Sequence, residues 1–312
     1  MRIVEKAEVF EKLTMEKCIE VMHGAFIKLE SGKCVQPPRT IHALDGVNMF
    51  GFMPAYLGKG DYFGAKVINA CSANIGTKYP SHVGYVIIFE AEHGTVAGMV
   101  EAGSITQIRT GAVSAVATDL LARADADKLA IIGAGAQGRS HLEACMCVRN
   151  IKEVSVYDIS DEAAKRYAAE MTDKFGIPLK VTASVQEAVK DADIICTVTP
   201  SKEPYLKPEW IKEGAHINAV GTFTPTTREV TSQLVNASRL YSDYTDAMKK
   251  ESGEYLIPLS EGLIDESHIK GSIGELLLQK AEGRTNDKEI TLFAALGLAV
   301  EDVAAAAYVL NS

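Results

Sequence analysis

The stretch LAIIGAGAQGRSH, Leu129–His141, limits what this chain can fold into more than any other part of it. Four apolar residues without polar alternation read as a strand buried on both faces. They run into Gly133, Gly135 and Gly138, spaced G-x-G-x-x-G, and then into the helical pattern SHLEACMCVR. A side-chain-poor turn between a buried strand and a helix opens a crossover unit, and the residues that follow repeat the rhythm. EVSVYDIS, LKVTAS, DIICTVTP, HINAVG and RLYSDY read as strands, with DEAAKRYAAEMTDKF and VQEAVKDA as helices among them. Strands alternating with helices predict an α/β fold with a Rossmann-type, doubly wound parallel sheet covered on both faces.

Before Lys128 the pattern differs. Thr14 is placed to cap a helix in which Cys18, Met22, Ala25, Phe26 and Leu29 recur at helical spacing, and Gly32 ends it. RTIHAL, VNMFGFMPAYL, YFGAKVINAC, VGYVIIFE and TVAGMVEA then read as strands, divided by Asp-Gly, Gly-Lys-Gly, Tyr-Pro-Ser and His-Gly breaks. Ser104 opens a long helix, ITQIRTGAVSAVATDLLARA. Near the C-terminus ITLFAALGLAVEDVAAAAYVL reads as one Ala-rich helix, too apolar for a free tail. The expected organisation is an α+β domain over 1–115, a Rossmann domain over 116–290, and a C-terminal helix over 291–312 packing back on the first domain.

The glycine turn has a specific use. Gly133 permits the tight turn, Gly135 lets the backbone approach a pyrophosphate, and Gly138 lets the helix pack against the strand. The helix N-terminus offers N–H groups and the positive end of its dipole to the phosphates. Asp158 ends the next strand, 20 residues after Gly138, where a carboxylate accepts from the ribose hydroxyls of NAD and repels a 2′-phosphate. NAD(H) is therefore the expected cofactor, with NADP(H) as the alternative because Ser160 and Lys165 stand near enough to help a phosphate.

Composition removes other classes. The 312 residues carry a net charge of −9 with no Lys/Arg block, which argues against nucleic acid or an anionic membrane as partner. No apolar run reaches the roughly 18 residues of a membrane helix, and MRIVEKAEVF has no signal-peptide core. The six scattered cysteines lack metal-type spacing, so reduced thiols, no metal and a cytoplasmic location are expected. Three cations in the first domain lie among apolar or small residues: Arg39 after VQPP, Lys66 inside YFGAKVINA and Arg109 inside TQIRTGAV. None has a carboxylate beside it in sequence. Each is either ion-paired within the protein, set on its surface, or a ligand for an anionic substrate, for which Arg supplies a bidentate fork.

GAKVINACSAN, EAGSITQIRTGAVSAVAT, LAIIGAGAQGRSHLEA, AVGTFTPTTREV and GRTNDKEITLFAALGLAVEDVAAA, in that order, closely resemble the ornithine cyclodeaminase/mu-crystallin family. The resemblance implies a homodimer whose N-terminal sheet domain dimerises, binds substrate and is completed by the C-terminal helix. It implies that Arg39, Lys66 and Arg109 hold a substrate carboxylate, with Lys66 nearest the reacting nitrogen. It implies dinucleotide contacts at Thr110, Gly133, Gly135, Ala136, Gln137, Gly138, Asp158, Thr197, Thr199, Val220 and Gly221, with Gly297 approaching the nicotinamide. Two positions depart from the cyclodeaminase pattern. Gly51 stands where a GVIELMP-like strand supplies a Glu to the distal amine, and Phe223 where a GGDCPGKTE-like loop supplies a catalytic Asp. With both carboxylates missing, the expected activity is NAD(P)-dependent reduction of a small cyclic or linear α-imino acid, or an alanine-type amino-acid dehydrogenation. The alternatives are ornithine cyclodeamination, with Glu229 swinging in as the acceptor, and a dinucleotide-dependent binding protein without turnover.

Overall fold

The computed structural model describes residues 1–45, 48–74, 77–79 and 82–312. The chain divides into two units, Met1–Arg109 with Leu298–Ser312, and Thr110–Gly297. The expected boundaries at 115 and 290 thus move to 109 and 297. Gly46 of the Asp-Gly break, Val47 of the strand after it, and Pro80 and Ser81 of the Tyr-Pro-Ser break lie outside the described residues.

In the first unit β1 (Arg2–Val4), α1 (Lys6–Lys12) and α2 (Met15–Glu30) precede a meander. Its strands are β2 (Thr40–Ala43), β3 (Asn48–Tyr56), β4 (Tyr62–Cys71), β5 (His82–Glu90) and β6 (Val96–Glu101). The sheet order is β1-β6-β5-β4-β3-β2, antiparallel except where β1 joins β6. Thr14 caps α2 by accepting from the Lys17 N–H, and Gly32 ends it at φ +69°. One cross-strand row locates the core: Val4, Val100, Val86, Lys66 and Met53 are successive partners, and all are buried. The C-terminal helix α11 (Ala299–Asn311) lies on that face, with α2 packed against it. A lysine in the middle of an otherwise apolar row is the anomaly of this unit.

The long helix α3 (Ala102–Leu121) starts two residues before the expected Ser104. Its cap is acidic: the Glu101 carboxylate accepts from the N–H groups of Gly103 at 2.7 Å and Ser104 at 2.8 Å. A carboxylate does the work of a hydroxyl cap and also complements the helix dipole.

The second unit alternates strand and helix. β7 (Lys128–Ile132), α4 (Ala136–Val148), β8 (Glu153–Tyr157), α5 (Asp161–Phe175), β9 (Leu179–Val181), α6 (Val185–Val189) and β10 (Ile194–Thr197) form its first half. β11 (His216–Ala219), α7 (Ser232–Asn236), β12 (Ser238–Ser242), α8 (Thr245–Glu251), α9 (Gly253–Ser260), β13 (Ile269–Ser272), α10 (Ile273–Leu277) and β14 (Ile290–Ala294) complete it. All pairings in the sheet β13-β12-β14-β11-β10-β7-β8-β9 are parallel. Ala130 and Ile132 join a core on one face, while Leu129 and Ile131 join the core on the other. Burial on both sides accounts for the unbroken apolar run of β7.

The expected C-terminal helix over 291–312 is corrected here. Ile290–Ala294 is β14, hydrogen-bonded between β11 and β12 near the middle of the parallel sheet, and the helix begins only at Ala299. A strand buried on both faces and an apolar helix have the same composition, and periodicity does not separate them over five residues. The break lies at Gly297, which adopts φ +75°.

Candidate active site

The parallel strands of the second unit end along one edge, and the residues expected to contact a dinucleotide follow those ends. Strand order reverses between β7 and β10, the point where such sheets form a ligand crevice. Gly133 has φ +114°, and a Cβ there would lie 2.8 Å from the Val198 carbonyl oxygen, just past β10. A Cβ on Gly138 would run into the Gly133 carbonyl. Around Gly135, by contrast, a Cβ would meet nothing within 4 Å, and as N-cap of the 13-residue α4 it puts no side chain over the first turn. The turn is crowded on the protein side and open where phosphates dock, over Ala136 and Gln137. Thr197, at the end of β10, is buried with a hydroxyl that has no hydrogen-bond partner. These features fit a dinucleotide.

Asp158, directly after β8, accepts from the Ala134 N–H at 2.8 Å and from the Ser160 N–H at 2.9 Å. It is thereby held against the glycine turn. The two residues considered as helpers for a 2′-phosphate are engaged elsewhere. The Ser160 hydroxyl caps α5 by accepting from Ala163, and Lys165 pairs with Asp161 at 2.6 Å. Ile159, which sequence reasoning passed over, is 95% exposed beside Asp158.

The loops after β10 and β11 are tied by one buried carboxylate. Glu229 accepts from the Thr199 N–H (2.8 Å), the Thr199 hydroxyl (2.6 Å), the Tyr205 hydroxyl (2.7 Å) and the Gly221 N–H (2.8 Å). The N–H of Val220 meets the Thr197 carbonyl at 3.0 Å. Glu229 is thus a brace with four donors, and the expectation that it swings in as a catalytic acceptor is not supported. Behind it lies Glu254, buried, accepting from the Glu229 N–H at 2.8 Å and the Thr222 hydroxyl at 3.2 Å. Burial, with Glu229 nearby, pushes Glu254 up to about 7 against its hydrogen bonds. Phe223, next to Thr222, is 42% exposed. Asp243 accepts from the N–H groups of Leu296 (2.7 Å) and Gly297 (2.8 Å) and so fixes the turn after β14. Thr110 sits in α3 beside Gly111, where a Cβ would lie 2.9 Å from the Ser140 carbonyl of α4.

In the first unit, two of the three singled-out cations converge. Lys66 Nζ lies 2.8 Å from Asp302 Oδ2, Arg109 Nε lies 3.0 Å from Asp302 Oδ1, and Arg109 Nη1 lies 2.6 Å from Glu301 Oε2. All four side chains are buried. Of the roles the sequence leaves open, Lys66 and Arg109 take ion pairing within the protein: α11 supplies two carboxylates, and the cluster balances two positive against two negative charges. The signal was present in the acidic pair of an otherwise apolar VEDVAAAA helix, where buried charges require partners. Desolvation lowers Lys66 to about 8, against the raising influence of Asp302. Its ammonium also donates to the Thr106 hydroxyl at 3.4 Å. Three N–H bonds thus face two acceptors among the described residues. Arg39 is half-buried and directly precedes β2, which is separated from β4 and its Lys66 by β3 in the sheet. Gly51 lies on the Lys66 face, opposite Ile68.

A nucleotide-type parallel-sheet unit joined to an antiparallel sheet unit that holds a buried charge cluster defines a two-unit α/β protein of the dinucleotide-dependent class. The chain belongs to the ornithine cyclodeaminase/mu-crystallin family, whose model matches residues 1–312. It is 36% identical to ketimine reductase mu-crystallin of Mus musculus over 295 residues, 94% of this chain and 90% of that one. The structure of Thermococcus litoralis Δ1-pyrroline-2-carboxylate reductase in complex with NADH and L-proline is similar with a TM-score of 0.96 and 37% identity. That similarity covers 100% of this chain and 97% of that one. An archaeal alanine dehydrogenase dimer with bound NAD is similar with a TM-score of 0.93 and 31% identity, over 99% and 94% of the two chains.

Proposed function

We propose that this chain is an NADH-dependent reductase of a small α-imino acid, and that Lys66 is its principal substrate-facing residue. The carrying observation is the buried Lys66 ammonium, which has one more N–H than it has acceptors among the described residues. A substrate carboxylate or imine nitrogen supplies the missing acceptor. Arg109, oriented by Glu301 and Asp302, and Arg39 complete the carboxylate contacts. NADH, when bound, supplies the hydride. Lys66, lowered to about 8, holds a proton it can release near neutral pH and serves as the acid toward the reacting nitrogen, directly or through a water. On the nucleotide side Gly133 to Gly138, with Ala136 and Gln137, receive the pyrophosphate. Asp158 takes the adenine ribose, and Thr110, Thr197, Thr199, Val220, Gly221 and Gly297 line the remainder. Phe223 gives the substrate an apolar neighbour.

NADH over NADPH follows from Asp158 and from the engagement of Ser160 and Lys165. The relatives named above, an imine reductase, a ketimine reductase and an amino-acid dehydrogenase, support the same chemistry. Self-association as a homodimer and a cytoplasmic location belong to this reading. All six cysteines are free thiols, and among the described residues no helix is long and apolar enough to cross a membrane and no His/Cys/Asp/Glu group is placed to hold a metal.

The test is NADH consumption by the purified protein with pyrroline-2-carboxylate, piperideine-2-carboxylate, and pyruvate with ammonia or methylamine. Turnover of at least one is expected. A parallel incubation with L-ornithine and NAD should yield no proline, since neither Gly51 nor Phe223 accepts from an amine and Glu229 is committed to four donors. Robust proline formation would overturn the reductase reading. Nucleotide binding with no turnover of any imino acid would favour the binding protein.

A further inference from the structure

Beside Lys66, one pleat along the same sheet face, the cross-strand row runs Ile41, Gly51, Ile68, Gly84. Ile68 stands between two glycines, so neither adjacent strand contributes a side chain next to it. It leans toward β3: a Cβ on Gly51 would lie 3.1 Å from Ile68 Cγ2, tighter than ordinary van der Waals contact. The branched side chain of Ile68 therefore fills the space that a residue at 51 would take. It does so two residues from Lys66, in a row with no charged or hydrogen-bonding side chain. One pleat from Lys66, this row offers an apolar wall to the hydrocarbon part of a small molecule whose carboxylate is held at Lys66 and Arg109.

We propose that Ile68 determines substrate size, setting an upper limit on the ring of a cyclic imino acid through its contact over Gly51. This rests on the reading of the chain as an imino-acid reductase. The unaltered row fits a compact five-membered ring, and each methyl removed from position 68 makes room for a further methylene. The two flanking glycines make that room specific to residue 68, because no adjacent side chain can move in to fill it.

The experiment compares kcat/KM for pyrroline-2-carboxylate and piperideine-2-carboxylate in the unaltered protein, Ile68→Val and Ile68→Ala. The five- to six-membered preference should fall in steps, by about tenfold or more in Ile68→Ala, the scale expected for one methylene in an apolar pocket. A second readout needs no turnover: competition of L-proline and L-pipecolate for the protein saturated with NAD should shift in the same direction. Equal ratios in all three proteins, by both readouts, overturn the role of Ile68 while leaving the reductase reading intact. Failure of the unaltered protein to turn over or bind either ring overturns the size limit at Ile68, and the reductase reading falls with it only when pyruvate with ammonia or methylamine fails as well.

Discussion

Asp302 and Lys66 meet at 2.8 Å with both side chains sealed from solvent, and the other oxygen of the same carboxylate holds Arg109. One α11 residue therefore sets the positions of a β4 cation and an α3 cation at once. A buried lysine without such a partner loses its proton easily, since low dielectric disfavours the charged form. Asp302 opposes that tendency but does not cancel it, and the result is an ammonium poised near 8 instead of 10.5.

The expected consequence is a basic limb in the pH profile. kcat/KM reports the free enzyme, so it should fall as pH rises through about 8, where Lys66 becomes neutral and loses its hold on a carboxylate. Lys66→Arg should remove the limb while lowering activity, because a guanidinium stays charged across this range. Asp302→Asn deletes the raising influence and should move the limb to lower pH. Steady-state rates across the range check this, and a flat profile in the unaltered protein would count against Lys66 as the ligand.

A second ionisable group affects stability. Glu254 is buried behind the Thr222–Phe223 loop, facing the Glu229 carboxylate, and its value rises from 4.5 to about 7. Below 4.5 it is protonated in folded and unfolded chains alike. Between 4.5 and about 7 the folded chain keeps a proton that the unfolded chain has released, so this contribution to stability declines as pH rises through that window. Above it, the ionised group costs on the order of 3 kcal/mol relative to the acid side. Glu254→Gln should flatten the dependence and raise Tm at about pH 8. An unchanged Tm profile in that variant would show that Glu254 is not the group responsible.

The parallel sheet was legible because its information is local. Strand, glycine turn, helix N-terminus and acidic strand end lie between Lys128 and Asp158, and the geometry of Gly133 and Gly135 follows from that order. Lys66 and Arg109 also stood out as charges in apolar company. Their partners did not, because Glu301 and Asp302 lie about 190 or more residues further along the chain, and a search for neighbouring carboxylates in sequence cannot reach them. β14 was hidden for a different reason. ITLFA is followed by apolar residues and then by a true helix, so one continuous hydrophobic pattern covers two elements that belong to different units. Glu229 shows the same limit: its acidity was visible, but not the four donors that hold it in place.

The outer face of the antiparallel sheet predicts self-association. Ile3, Phe50, Phe52 and Val83 lie on the side opposite Lys66, and each is between 38% and 51% exposed. So much apolar sheet surface is unusual on a monomer and suits a second copy of the same face. Light scattering should give at least twice 33.6 kDa for the native chain, and Phe52→Asp should shift it toward the monomer. A stable monomer of the unaltered protein at micromolar concentration would refute this.

The choice of nucleotide rests on Asp158. Its two oxygens take the N–H groups of Ala134 and Ser160, so the carboxylate is fixed at the strand end instead of turning into solvent. A 2′-phosphate arriving there meets a negative charge, while the nearest cation on α5, Lys165, is paired with Asp161. NADH should therefore bind more tightly than NADPH. Asp158→Ala removes the repulsion together with the ribose acceptor, so affinity for NADH should fall, affinity for NADPH should rise or hold, and the gap should narrow by about tenfold. Asp158→Asn removes the charge but keeps one acceptor oxygen, enough for one of the two N–H groups, so it should narrow the gap with a smaller loss of NADH affinity than Asp158→Ala. Fluorescence titration of both nucleotides against the three proteins measures this directly. A native preference for NADPH, or a gap unchanged in both variants, would mean that another residue reads the ribose.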